Sequence, residues 1–257
     1  MTKMLSVIII TKNEESHIAK CLESVKWADE IIVLDSGSAD KTVSICRQFT
    51  PNVFETDWQG FGVQKQRALN KATGNWVLSI DADEIITPEL RAEIENVIKS
   101  TEFKGYQIPF LSNFCGKKIR HGGWYPDYHL RLFRRVNSEF SNSVVHEWVN
   151  VNGKIGFLKS PILHDSYTDL AEVLRKMDSY STLGAKLLFE KGIKSSVSKA
   201  VLKGLWTFFR AYVLRRGFLD GSHGLMLAIY NAETTYYKYL KLWELQNNGS
   251  MLHKKSD

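Results

Sequence analysis

Cysteine is scarce in this sequence: Cys21, Cys46 and Cys115 are the only three in 257 residues. They are widely spaced, form no CxxC pair and match no zinc spacing. That excludes a disulfide framework and predicts free thiols in a reducing cytoplasm. Proline is also sparse, with 5 residues beside 17 Gly, which excludes a collagen-like or disordered chain. No apolar run reaches the roughly 18 residues that suggest a membrane-spanning helix. The amino terminus lacks a basic region, apolar stretch and small-residue cleavage site in that order, so no signal peptide is expected. There is no internal repeat and no low-complexity segment. What remains is a globular profile, 44% hydrophobic and 24% charged, long enough for one large domain or two small ones.

The charge is uneven. Residues 171–257 hold 14 Lys/Arg against 7 Asp/Glu, whereas the rest holds 20 against 21. The net +6 therefore belongs to the C-terminal third. This asymmetry predicts a near-neutral catalytic part and a part that meets something anionic, either nucleic acid or lipid.

Leu5 to Ile10 is a continuous β-branched run, the mark of a strand covered on both faces. Ile18, Cys21, Leu22 and Val25 follow at helical spacing. Ile31–Leu34 and Trp76–Ile80 read as further buried strands, Val53–Phe54 as a short one, and Thr42–Phe49, Gln64–Ala72 and Pro88–Lys99 as helices. Strands alternating with helices imply a mostly parallel sheet with helices on both faces, an α/β fold. After residue 100 shorter strands are expected near 106–110, 129–133, 148–151 and 155–158, and from Asp169 the chain reads as helical. This predicts a catalytic domain over 1–168, split near residue 100, and a helical region over 169–257.

Polar residues follow each strand's carboxyl end, where ligands bind in open α/β sheets. Asp81-Ala82-Asp83 places two carboxylates beyond a buried strand. Hard oxygen donors there suit Mg²⁺ or Mn²⁺, which keep several waters and bind substrate phosphates. Asp35-Ser36-Gly37-Ser38 ends the second strand in a turn with free backbone N–H groups, and Thr11, Asn13 and Glu14 follow the first. Taken alone, each also reads as a solvated turn, an Asx turn or a helix start.

These stretches together resemble the inverting, GT-A fold, family 2 glycosyltransferases. They are Val7 to Glu15, Val33 to Thr42, Ala72 to Trp76, and Asp81 to Glu84. Pro126 to Arg134, Val145 to Trp148 and Leu163 to Tyr167 look like the bacterial lipopolysaccharide inner-core β-1,4-glucosyltransferases. The resemblance implies a UDP-sugar donor and a divalent cation. Thr11, Asn13 and Glu14 would line the nucleoside pocket, Asp35 would accept from the uracil N3–H, and Asp81 would lie near the ribose. Asp83 would ligate the metal, and His164 would complete its coordination. Lys65 falls where relatives carry an Arg near the nucleotide, with Arg67 as the alternative.

Inverting transfer needs a carboxylate to take the acceptor hydroxyl's proton. Glu147 is the first choice and Asp127 the rival; a glycosidase would instead need two carboxylates flanking the bond. Arg131 and Arg134 sit at odd spacing on a strand, so they point to opposite faces, and one is expected to reach an acceptor phosphate or carboxylate. Over Val197–Val213 a helical wheel places Val197, Val201, Leu202, Leu205, Trp206, Phe209, Tyr212 and Val213 within a half-circle, with Lys199, Lys203 and Arg210 on the other side. Leu225–Leu245 forms a second, Tyr- and Trp-rich helix. These helices are expected to meet the cytoplasmic face of the inner membrane, the catalytic domain or a second subunit. The implied acceptor is a lipid-linked saccharide of the lipopolysaccharide core, with an O-antigen, capsule or peptide acceptor as the alternative. A nucleotidyltransferase is disfavoured because Thr11–Glu15 lacks glycine. A nucleic-acid binder is disfavoured by the acidic crevice.

Overall fold

The structure is a computed structural model that describes residues 4–100, 102–141 and 148–253. It divides into two compact units, one of residues 1–111 and 127–165, the other of 112–126 and 166–257.

The first unit opens with β1 (Leu5–Thr11), α1 (Ile18–Val25), β2 (Glu30–Asp35), α2 (Thr42–Phe49), β3 (Val53–Glu55), α3 (Phe61–Lys71) and β4 (Trp76–Asp81). β5 (Glu84–Ile86), α4 (Pro88–Val97) and most of β6 (Gly105–Phe114) follow. The two-residue β7 (Lys117–Lys118) belongs to the second unit. β8 (Asp127–Arg134), β9 (Ser138–Phe140), β10 (Val149–Val151), β11 (Ile155–Phe157) and β12 (Ile162–Tyr167) complete the strands.

β1 is buried along its whole length because both faces are covered. Val7 and Ile9 enter one core with α1, while Ile8 and Ile10 enter the other with Ala68 and Leu69 of α3. That alternation is the two-residue period of a strand, and it explains a continuous apolar run with no polar face. β1 is central: it pairs in parallel with β2 on one side and β4 on the other. The strand order is β3-β2-β1-β4-β8-β6-β12-β5, so the parallel half passes into an antiparallel half at β8. The mixed, mostly parallel α/β sheet expected from the sequence is present. The sequence reading missed β5, β7, β9 and β12 and made β6 too short.

At the amino edge the strands are clamped by buried polar groups. Ser6 Oγ donates to Glu30 Oε2 at 2.5 Å and accepts from Gly74 N–H at 2.8 Å. A Cβ at Gly74 would lie 2.7 Å from the Ser6 amide nitrogen, so only glycine fits there.

The second unit is built on α7 (Gly221–His253), against which α5 (Leu170–Glu190) and α6 (Val197–Phe209) pack. Phe114, Ile119, Tyr167, Val173, Leu227 and Tyr230 form its core, and the Tyr167 and Tyr230 hydroxyls are 2.9 Å apart. Gly217–Asp220 forms a 3₁₀ helix. Asp220 is buried, and its Oδ2 accepts from the amides of Arg120 and His121 at 3.2 and 2.8 Å. The last helix therefore starts at Gly221, four residues before the expected Leu225. α6 buries Ala200 and Gly204, whereas Val197, Val201, Leu202, Leu205, Trp206 and Phe209 are exposed. No helix among the described residues is long and apolar enough to cross a membrane.

Candidate active site

Register fixes the arrangement at the carboxyl ends of the strands. Ile10 is level with Leu34 and with Asp81, and Thr11 with Asp35. Strands about 4.8 Å apart bring the loops after β2, β1 and β4 within about 10 Å of one another. The polar segments singled out in the sequence thus share one edge.

The first two loops are laced together. Asn13 adopts φ 57°, its N–H donates to Ser38 Oγ and its Oδ1 accepts from the Ala39 N–H, both at 2.8 Å. The Glu14 N–H donates to Thr42 Oγ1 at 2.8 Å. Asp35 is fully buried and accepts from the amides of Gly37 and Ser38 at 2.9 and 2.8 Å and from the Ser38 hydroxyl at 2.5 Å. A carboxylate offers about four acceptor positions, so its own turn takes most of them. Thr11 Oγ1, at the carboxyl end of β1, is buried with no hydrogen-bond partner among the described residues. Burial raises the pKa of Glu14, the hydrogen bond from His17 opposes this, and the charge of Asp83 adds to the rise.

Charge is concentrated beside β4. Lys65, on α3, is only 2% exposed and its Nζ lies 3.0 Å from Asp81 Oδ1. Arg131, on β8, donates from Nη2 to Asp81 Oδ2 at 3.0 Å and to Glu84 Oε1 at 2.8 Å. Burial alone would raise the Asp81 pKa, but the two cations outweigh it and hold the carboxyl far below the usual range. Glu84 is 1% exposed. Burial pushes its pKa up to about 7, against the pull of Arg131. A bulge aims Arg131 here: Tyr106 pairs with Leu132 and Gln107 with Leu130, leaving Arg131 as the extra residue. Arg67 is elsewhere, its Nη1 on Asp57 at 2.8 Å and on Gln64 Oε1 at 2.9 Å. Arg134 stacks its guanidinium 4.4 Å from the Trp76 ring centre.

The two expected metal ligands meet. His164 Nε2 is 3.1 Å from Asp83 Oδ2, and the Asp165 N–H donates to the Asp83 carbonyl at 3.2 Å. Antiparallel pairing of β12 with β5 sets His164 opposite Glu84. Burial lowers the His164 pKa, but the hydrogen bond and charge of Asp83, with Glu84 and Asp81 behind it, raise it overall. Among the described residues no group of three or more His, Cys, Asp or Glu could hold a metal. One carboxylate and one imidazole nonetheless suit a divalent cation that takes its remaining ligands from water and phosphate, as Mg²⁺ and Mn²⁺ do.

Asp127 lies on β8 with Oδ2 2.9 Å from His129 Nε2, both side chains well exposed. Its hydrogen bond with His129 holds its pKa below the ordinary value against some burial. Glu147 lies outside the described residues.

Sequence reasoning missed Phe110. Its ring is the platform of the site, edge-on to His129 at 4.8 Å and His164 at 5.8 Å, with the Arg131 guanidinium 5.0 Å from its centre. Glu84 and Gln64 were also missed. Gln64 Nε2 donates to Ser36 Oγ at 2.7 Å and Thr56 Oγ1 at 3.0 Å, holding the β2 loop from α3. The directly adjacent Asp83-Glu84 pair was the one available signal for Glu84. A hollow of about 550 Å³ in the same unit is lined by Gln66, Ser138, Glu139 and Asn150 among others, and includes none of the expected site residues.

Comparison with known proteins identifies the family. A family model described as "Glycosyl transferase family 2" matches residues 6–151. An uncharacterised glycosyltransferase of Rickettsia typhi is 34% identical over 95% of this chain and 88% of its own length. The lipopolysaccharide core biosynthesis glycosyltransferase LpsC of Rhizobium meliloti is 29% identical over 91% of this chain and 93% of its own. Among solved structures, residues 1–349 of S. aureus TarS align over 96% of this chain and 92% of that one, at 16% identity and a TM-score of 0.47. Glucosyl-3-phosphoglycerate synthase from Mycobacterium tuberculosis, crystallised with Mg²⁺ and UDP, aligns over 42% of this chain and 44% of its own at 24% identity and a TM-score of 0.37. On the family model and the full-length relatives, the chain belongs to glycosyl transferase family 2.

Proposed function

We propose that this glycosyltransferase moves a hexose, glucose from UDP-glucose, with inversion onto a heptose of a lipid-linked lipopolysaccharide core, at the cytoplasmic face of the inner membrane. The observation that carries the reading is the contact of Asp83 with His164 beside the Lys65–Asp81–Arg131 cluster, at the edge where three parallel strands end. The similarity to a core-biosynthesis enzyme over most of the chain supports the acceptor class.

Asp83 and His164 would hold the divalent cation, Mg²⁺ or Mn²⁺, which supplies charge neutralisation to the departing diphosphate. Lys65 and Arg131 keep Asp81 ionised and oriented while offsetting its charge, so the edge accepts a polyanion. Thr11 Oγ1 offers an unsatisfied hydroxyl to the nucleoside. Asn13 and Asp35 act by shaping the two loops that would flank the base, Glu14 adds its carboxylate, and Arg67 braces α3 through Gln64. Attack by the acceptor hydroxyl requires a carboxylate to take its proton as the bond forms. Glu147 is assigned this role, with Asp127 as the alternative; the tie of Asp127 to His129 favours its ionised form.

The test is a donor screen with the full chain, following UDP release from UDP-glucose, UDP-galactose and UDP-N-acetylglucosamine, with and without extracted core saccharide. The reading expects acceptor-dependent release that is fastest with UDP-glucose and stops with a chelator. Release that ignores the core acceptor, or a strong preference for another donor, contradicts it.

A further inference from the structure

α6 turns its small residues inward and its large ones outward. Gly204 faces α7 so closely that an added Cβ would lie 3.2 Å from Tyr236 Cβ. Ala200 is buried one turn earlier, and Thr207 Oγ1 reaches Thr235 Oγ1 at 3.3 Å. At about 100° per residue, the direction opposite these contacts belongs to Leu202, Leu205, Trp206 and Phe209. All four are exposed, Leu202 to 67%. The exposed apolar surface continues through Val213, Leu214, Phe218 and Leu219. A contiguous face of this kind marks a contact surface.

Cations border it. Lys199, Lys203 and Arg210 fall on one flank of the helix, between the packed face and the apolar one. From 191 to 219 the sequence carries seven Lys/Arg and no Asp or Glu.

We propose that this face, α6 and the turns after it as far as Leu219, docks on an anionic lipid bilayer. Its Leu, Trp and Phe side chains enter the boundary between headgroups and acyl chains, and its cations lie against anionic headgroups. An apolar face with a cationic margin and no acid is the pattern of an interfacial helix. A nucleic acid would use the cations but leave the apolar face in water. A second copy of the chain, packed through the same patch, would set one cationic margin near another with no acid in the segment to receive it. The inference deepens the membrane-face placement of the proposed function and rests on that part of it, while standing apart from the identity of the donor.

The test is co-sedimentation of the full chain with phosphatidylcholine vesicles and with vesicles that also contain phosphatidylglycerol. Binding to the anionic vesicles, weakening as salt rises, is expected. Replacing Lys199, Lys203 and Arg210 by Gln should cost roughly fivefold per cation, on the order of 100-fold together. A double variant, Leu202→Ser with Phe209→Ser, should lose vesicle binding while its circular dichroism and its transfer to a lipid-free acceptor stay unchanged. Brominated lipid should quench wild-type tryptophan fluorescence more than that of Trp206→Phe. Failure to sediment with anionic vesicles, or equal sedimentation of wild type and the double variant, overturns the proposal. So does a dimer in light scattering that the double variant dissociates, or nucleic-acid binding without vesicle binding. A wrong donor assignment would appear in the transfer assay and leave vesicle binding untouched.

Discussion

Lys65 and Arg67 lie two positions apart on α3, yet only Lys65 reaches the acidic cluster. Lys65 is buried on Asp81, whereas Arg67 is engaged by Asp57 and Gln64. Lys65→Met removes one of the two cations on Asp81 and makes the edge more negative. Calorimetry should show UDP binding weakened about tenfold, roughly 1.4 kcal/mol, with Arg67→Met close to wild type. Equal effects would remove Lys65 from the site. For the base, Glu147→Gln should cost at least about 100-fold in transfer, the scale of general base catalysis, and leave UDP affinity intact. Asp127→Asn should cost little; the reverse order would reassign the base. A third outcome follows from burial: the Cys46 thiol is pushed up to about 11, chiefly by desolvation. Iodoacetamide at mildly alkaline pH should therefore spare Cys46 in the folded chain and label it in denaturant, as mass spectrometry would show. At this scale Asp83 drew attention as a carboxylate beyond a buried strand, and His164 only through the family resemblance; the structure brings the two into contact at 3.1 Å. The sequence did not announce Phe110, whose ring reads as ordinary core, or the aim of Arg131, which depends on a bulge that residue spacing does not encode.

The elements follow the apolar periodicity closely in the parallel half, where β1, β2 and β4 are covered runs and α1 shows one apolar stripe. The short strands β5, β7 and β9 escaped notice because segments of two or three residues carry no period to read, and β12 escaped because His164, Asp165 and Ser166 interrupt its apolar run. α6 is the instructive case. A helical wheel leaves open whether the larger apolar half packs on protein or meets a membrane; the chain packs Ala200 and Gly204 instead, since small residues let helix axes approach closely. Gly74 is a tight point between β1 and the lead-in to β4, where an added Cβ would lie 2.7 Å from the Ser6 amide nitrogen. Gly74→Ala would force the β4 lead-in away from Ser6 and should cost about 1–3 kcal/mol. For a chain of this size that is a fall of roughly 2–4 °C in Tm per kcal/mol, measurable by thermal melting. An unchanged Tm would mean that the β1–β4 clamp is looser than the geometry implies.

Across the whole molecule, the charge asymmetry legible in the composition maps onto the two units. The unit with the acidic edge is near neutral, and the cations gather on the helices around α6. Composition could assign that charge to an anionic partner but could not tell nucleic acid from lipid; the exposed apolar face of α6 is the observation behind the proposed lipid contact. The proposed function requires acidic loops that would hold a nucleoside diphosphate through a divalent ion. The most direct test is calorimetric titration of UDP into wild type, Asp83→Ala and His164→Ala, each with Mn²⁺ and with a chelator. Wild type should bind UDP with Mn²⁺ and weaken sharply with the chelator. Asp83→Ala should bind alike under both conditions, and His164→Ala should lose roughly 10- to 100-fold of the metal-dependent part. If Asp83→Ala keeps full Mn²⁺-dependent UDP affinity, the account is contradicted.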